Sequence, residues 1–170
     1  MWMSANASVI DVSDLGHFGA VSDIVTNTGV EPEILIIEIT ESVLLDDSAQ
    51  NLHLLTPLRD LGVGLALDDF GTAFSSLSYL SRFPFDHLKL DMSFVAEVLA
   101  STRTLLLVEE ICHLSQSMGV RTIAEGIEKR EQADVLLSVG CEYGQGYLFA
   151  KALPAEECEL LLMAQTEPMR

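Results

Sequence analysis

Residues 64–71 read Gly64-Leu65-Ala66-Leu67-Asp68-Asp69-Phe70-Gly71, a short apolar run that stops on two adjacent carboxylates and a turn glycine. Bounded by Gly62 and Gly71, a run of this length is that of a buried strand. The same pattern recurs on both sides of it. Trp2–Ser8, Ile34–Ile39, His87–Asp91 and Val120–Ala124 read as strands, and Cys141–Tyr143 begins a last one. Between them the apolar spacing is helical: a stretch ending near Gly29, then Ser48–Leu61, Ser75–Arg82, Ser93–Met118 closed by Gly119, Glu128–Val139 and Pro154–Met163. Strands apolar on both faces and alternating with helices predict a parallel sheet covered by helices. No glycine-rich dinucleotide loop or P-loop is present, and Gly62-Val63-Gly64 lies before its strand rather than after it. The expected fold is therefore an α/β chain of the β/α-barrel type.

The chain has 170 residues, 49% of them apolar and 21% charged, the composition of one globular domain with a real core. No linker or low-complexity segment divides it, so residues 1–170 are expected to form a single domain. No apolar stretch approaches the roughly 20 residues of a membrane span. No basic segment followed by an apolar one is visible at the start, so no signal peptide is expected. Three cysteines without a C-x-x-C pair suit a reducing compartment, which makes the cytoplasm the expected location. Nine Lys and Arg against 26 Asp and Glu give a net charge of −17. Such a surface repels nucleic acid, since duplex binding relies on basic side chains neutralising phosphates.

The informative positions are the strand ends. The first strand carries Asn6, the second Glu38, the third Asp68 and Asp69, the fourth Lys89, the fifth Glu125 and the last region Gln145. Parallel barrels build their sites at the C-terminal ends of the strands, from several strands at once. Each of these residues has an ordinary alternative: a glutamate can cap a helix, a lysine can face solvent, and Asp-Asp-Phe-Gly can be a plain turn. Their repetition at strand ends favours convergence. Converging carboxylates need cations, and an oxygen-only donor set suits a hard ion, Mg²⁺ or Mn²⁺, rather than zinc. The four histidines, His17, His53, His87 and His113, show no metal-ligand spacing. Adjacent aspartates could serve two ions, with one carboxylate bridging, and two ions suit phosphate-ester hydrolysis.

Five ordered segments resemble the motifs of the EAL family: Glu38-Ile39-Thr40-Glu41-Ser42, Asp68 to Leu77, Leu88-Lys89-Leu90-Asp91, Ala124-Glu125-Gly126-Ile127-Glu128 and Tyr143-Gly144-Gln145-Gly146-Tyr147. The similarity runs from Ser4 to Pro154. The resemblance implies a modified, TIM-like β/α barrel that hydrolyses cyclic-di-GMP to linear pGpG with Mg²⁺ or Mn²⁺. Carried over, it makes Asn6, Glu38 and Asp68 ligands of a first metal, and Asp68, Asp69 and Glu125 ligands of a second. It makes Lys89 the lysine that contacts the catalytic water, and Lys89 and Glu125 the catalytic pair. Gln145 and Glu128 are implied to line the site, and Glu41 to hold the loop that follows Asp69. That loop, Phe70–Ser76, is tied in the family to metal binding and dimer coupling.

The Glu-Ala-Leu segment that names the family has no counterpart before Asn6, which only five residues precede. A complete barrel takes roughly 250 residues, so a first strand with its metal-binding glutamate, and its helix, are expected to be missing. Ala73, Phe74 and Ala152 stand where the family usually has Gly, Tyr and often Pro. Two functions follow as expectations: a phosphodiesterase domain impaired in this form, or a non-catalytic module that binds cyclic-di-GMP or another protein. Open barrel edges are expected to favour homodimers or looser association.

Overall fold

The computed structural model describes residues 2–7, 15–40, 55–71 and 83–165. Strands β1 (Met3–Ala7), β2 (Leu35–Thr40), β3 (Gly64–Phe70), β4 (His87–Leu90), β5 (Arg121–Ala124) and β6 (Tyr143–Gly144) form one six-stranded sheet in chain order. Every adjacent pair is parallel. Helices α1 (Leu15–Thr28), α2 (described over 55–60), α3 (Met92–Glu97), α4 (Thr102–Ser117), α5 (Arg130–Ser138) and α6 (Ala155–Gln165) alternate with the strands. This is an incomplete barrel of the β/α type, as expected: β1 and β6 are its unpaired ends among the described residues. The sheet curls so that side chains at its two ends touch while the strands themselves stay unpaired. Trp2, just before β1, lies edge-on to Tyr143 of β6 with ring centroids 4.6 Å apart, and the Arg121 guanidinium sits 5.0 Å above the Trp2 ring.

Two expectations about the elements need correction. The strands are not apolar on both faces. In-register parallel neighbours share a face, and Ile37, Ile39, Leu65, Leu67, Leu88, Leu90 and Ala124 face outward into the helices as one buried core. The alternate positions face the barrel interior, where Glu38, Asp68, His87, Lys89 and Arg121, with Glu125 just beyond β5, stand among Ile36, Ala66 and Ile123. A strand with isolated polar residues on a buried inner face looks apolar overall because its outer positions are nearly all aliphatic. The long helix expected over Ser93–Met118 is also broken. Glu97 ends α3, and Ser101 starts α4 afresh by accepting a hydrogen bond from the Thr104 amide at 3.1 Å. A serine at an N-cap outweighs continuous helical periodicity, because it satisfies an amide that a new helix start leaves free. The short helix expected over Ser75–Arg82 lies outside the described residues.

Near its end, β3 does not keep step with β4. Leu67 pairs with Leu88 and Phe70 with Leu90, so three residues of β3 advance against two of β4. The extra residue is a β-bulge, and Asp69 occupies it with φ +55°. Aspartate tolerates this left-handed conformation better than bulky residues do. Gly71 follows at φ +99°, where an added Cβ would run into the Phe94 ring.

At the opposite end of the interior, His87 is 2% exposed and neither ring nitrogen has a hydrogen-bond partner among the described residues. Burial lowers its pKa below the ordinary 6.5, and the nearby Arg121 charge lowers it further against a smaller opposing effect of Asp86. The unfolded chain therefore takes up a proton that the folded chain refuses. This stability is complete above the ordinary value and is lost as pH falls below it. Urea midpoints measured from about pH 7.5 to about pH 5.5 should fall, and His87→Leu should flatten that fall. The difference in slope should stay under about 1.4 kcal/mol per pH unit, the limit for one proton.

Candidate functional site

The polar inner face converges on Lys89. Its Nζ lies 2.6 Å from Glu38 Oε2, 2.9 Å from Asp68 Oδ1 and 2.6 Å from Glu125 Oε1. One ammonium, its side chain 4% exposed, thus ties together the ends of β2, β3, β4 and β5. Burial alone would lower the pKa of Lys89. Hydrogen bonds to Glu125, Glu38 and Asp68 outweigh that and raise it, so the ammonium stays charged. With Asp69 added, four carboxylates face one cation and leave three formal negative charges if all ionise. The imbalance is visible in the acids. Burial, then the charges of Asp68 and Asp91, raise the Asp69 pKa. Burial also raises that of Glu125, with Lys89 pulling the other way.

The bulge explains how two consecutive residues reach the same site. In a regular strand Asp68 and Asp69 would point to opposite faces. Here Asp68, Asp69 and Glu125 each bring an oxygen within 4.8 Å of the other two. A cluster of oxygens that close, short of positive charge, fits a hard divalent cation. The local backbone holds it in shape. The Asp69 amide donates to Asp68 Oδ1 at 3.0 Å, and the Glu125 amide to the Leu90 carbonyl at 3.1 Å.

The remaining sequence candidates fall as follows. Gln145 Nε2 donates to Glu125 Oε1 at 2.7 Å, so the residue after β6 supports the carboxylate after β5. Asn6 sits on β1 in register with Glu38 and is exposed. Glu128 is exposed at the rim of a cavity of about 320 Å³, along with Gln145, Tyr147 and Met92. Glu41 lies outside the described residues, as does the loop beyond Gly71. Sequence reasoning missed two residues. Asp91 caps α3 by accepting from the Ser93 amide at 3.0 Å, and its charge bears on Asp69. Gln132, 7% exposed, holds the backbone behind Glu125. The spacing Lys129-x-x-Gln132 before an apolar helix was the available signal, obscured because lysine is not an N-cap residue.

An open parallel barrel with an acidic, cation-seeking mouth defines a class of metal-assisted enzymes and their non-catalytic relatives. The EAL domain family model matches residues 1–152, and the chain belongs to that family. The chain is 39% identical over 155 residues to NbdA of Pseudomonas aeruginosa, a cyclic di-GMP phosphodiesterase, covering 89% of this chain and 20% of NbdA. The crystal structure of the EAL domain of Mycobacterium smegmatis DcpA superposes with a TM-score of 0.91 at 35% identity, over 96% of this chain and 74% of that one. The cyclic-di-GMP complex of the MucR phosphodiesterase of Pseudomonas aeruginosa gives 0.85 at 34% identity, over 92% and 64%. The chain spans about a fifth of the length of the first curated relatives it matches.

Removing the shared cation tests the electrostatic account. Lys89→Met leaves three nearly buried carboxylates facing one another and should cost about 3–5 kcal/mol in urea unfolding without divalent ions. Added Mn²⁺ should then raise the variant's midpoint more than the parent's.

Proposed function

We propose that this chain is a cyclic-di-GMP phosphodiesterase domain that opens one phosphodiester to give linear pGpG, supported by Mg²⁺ or Mn²⁺. The observation that carries this reading is the Lys89 ammonium held by Glu38, Asp68 and Glu125 beside the Asp68–Asp69–Glu125 oxygen cluster. Family membership and phosphodiesterase relatives support it. Asn6, Glu38 and Asp68 would hold one ion, and Asp68, Asp69 and Glu125 a second. Such ions would supply an activated water and a counter-charge for the phosphate.

The chain's own residues do the rest. Lys89, kept protonated by its carboxylates, serves as a hydrogen-bond donor that orients the attacking water; it is not the base. Glu125, fixed by Lys89 and Gln145, positions its oxygens at the same place. Glu128 and Gln145 line the adjoining cavity, where a guanosine of the substrate would lie. Glu41 would hold the loop beyond Asp69. Residues 1–170 act as one domain in this reading, and its three unpaired cysteines suit the cytoplasm. Among the described residues no helix is long and apolar enough to cross a membrane. The exposed β1 edge, Met3–Asn6, would pair with a second copy of the chain.

The test is conversion of cyclic-di-GMP to pGpG by the purified chain with Mn²⁺, with ligand binding followed in the same samples. Low turnover is expected, in keeping with the impaired domain the sequence implies, and Asp68→Asn should abolish both that turnover and Mn²⁺ binding by calorimetry. Unchanged Mn²⁺ affinity in that variant would remove Asp68 from the metal site. Ligand binding without turnover would replace the enzyme reading with that of a receptor module. Sedimentation equilibrium should show self-association that rises with concentration.

A further inference from the structure

The side chain of Gln132 makes three hydrogen bonds from a buried position on α5. Its Oε1 accepts from the amides of Glu128 at 3.0 Å and Lys129 at 2.9 Å, and its Nε2 donates to the Val95 carbonyl at 2.9 Å. A glutamine at the third position of a helix commonly takes one back-bond, from the N-cap amide. Here it takes a second, and it reaches across to another element. Val95 belongs to α3, the helix that follows Lys89, while residues 125–129 are the loop that carries Glu125 out of β5. The same two segments touch again at Gly126, φ +70°, where an added Cβ would lie 2.8 Å from Met92 Cβ. On its other side the loop is joined to β6, with the Ile127 amide donating to the Gln145 carbonyl at 3.0 Å.

The geometry points to Gln132 as a positioning residue for the site: it fixes the loop behind Glu125, and so the distance from Glu125 to Lys89 and to the metal cluster. The inference rests on the metal-site reading of Glu125. An amide is required, because the side chain must accept at one end and donate at the other. Glutamate would place a carboxylate against the Val95 carbonyl, and methionine would fill the space but leave the buried Val95 carbonyl and two partly buried amides without their partner.

The experiment compares Gln132→Met with Leu136→Ala in the full chain. Leu136 is on the same helix and 2% exposed, and its truncation weakens α5 without removing any of the three bonds. Amide exchange at Glu128 and Lys129 and the Mn²⁺ dissociation constant are measured well below the unfolding transitions. In Gln132→Met, both amides should lose protection and Mn²⁺ affinity should fall roughly 10-fold, the usual effect of removing a group that orients a ligand. Leu136→Ala should leave affinity within about two-fold. Unchanged affinity in Gln132→Met, or an equal loss in Leu136→Ala, overturns the inference. If the parent chain binds no Mn²⁺, the metal-site reading fails, while amide protection still decides whether Gln132 holds the loop: protection retained in Gln132→Met overturns that too.

Discussion

One ammonium shared by three carboxylates is the constraint on which the rest of the structure depends. Glu38 and Asp68 lie on β2 and β3 and Glu125 just beyond β5, and each would be costly at its observed burial without a cation. Lys89 satisfies all three at hydrogen-bonding distance, which requires β2, β3, β4 and β5 to end at the same level. Parallel pairing in chain order provides that level, and the curl of the sheet brings the ends together. The apolar shell outside the barrel then fixes the strands against the helices, so that the polar centre is supported from behind rather than from within.

The bulge at Asp69 is the second requirement. A strand that kept its alternation would spend one of the two aspartates on the core side, where Phe70 and the leucines already pack. One extra residue, in a conformation aspartate accepts, turns its carboxylate inward and returns Phe70 to the core. The backbone irregularity and the acidity of the site are therefore one feature. Burial, reinforced by neighbouring carboxylates, raises the affinity of both Asp69 and Glu125 for protons.

Much of this was legible in the sequence. Short aliphatic runs, each closing on a polar residue and followed by helical spacing, gave the parallel barrel and placed Glu38, Asp68, Lys89 and Glu125 at one mouth. The inner face was not legible as such. Glu38 and Lys89 stand singly among aliphatic neighbours, so period-two polarity is too sparse to separate from an all-apolar strand. The break between α3 and α4 was hidden by residues that suit a helix throughout, and only the Ser101 cap decides it. The bulge leaves no mark beyond Asp-Asp before Phe-Gly, which a simple turn would also show. Gln132 escaped because the capping spacing that marks it begins on a lysine, and its bond to the distant Val95 carbonyl leaves no local pattern.

The two-faced sheet has an evolutionary consequence. Positions 37, 39, 65, 67, 88 and 90 answer to packing, while positions 38, 68, 89 and 125 answer to charge. The two sets interleave along the chain but lie on opposite faces of the sheet. Aliphatic residues can exchange among themselves while the chemistry persists, whereas the charged positions are bound to one another: losing Lys89 alone strands three carboxylates.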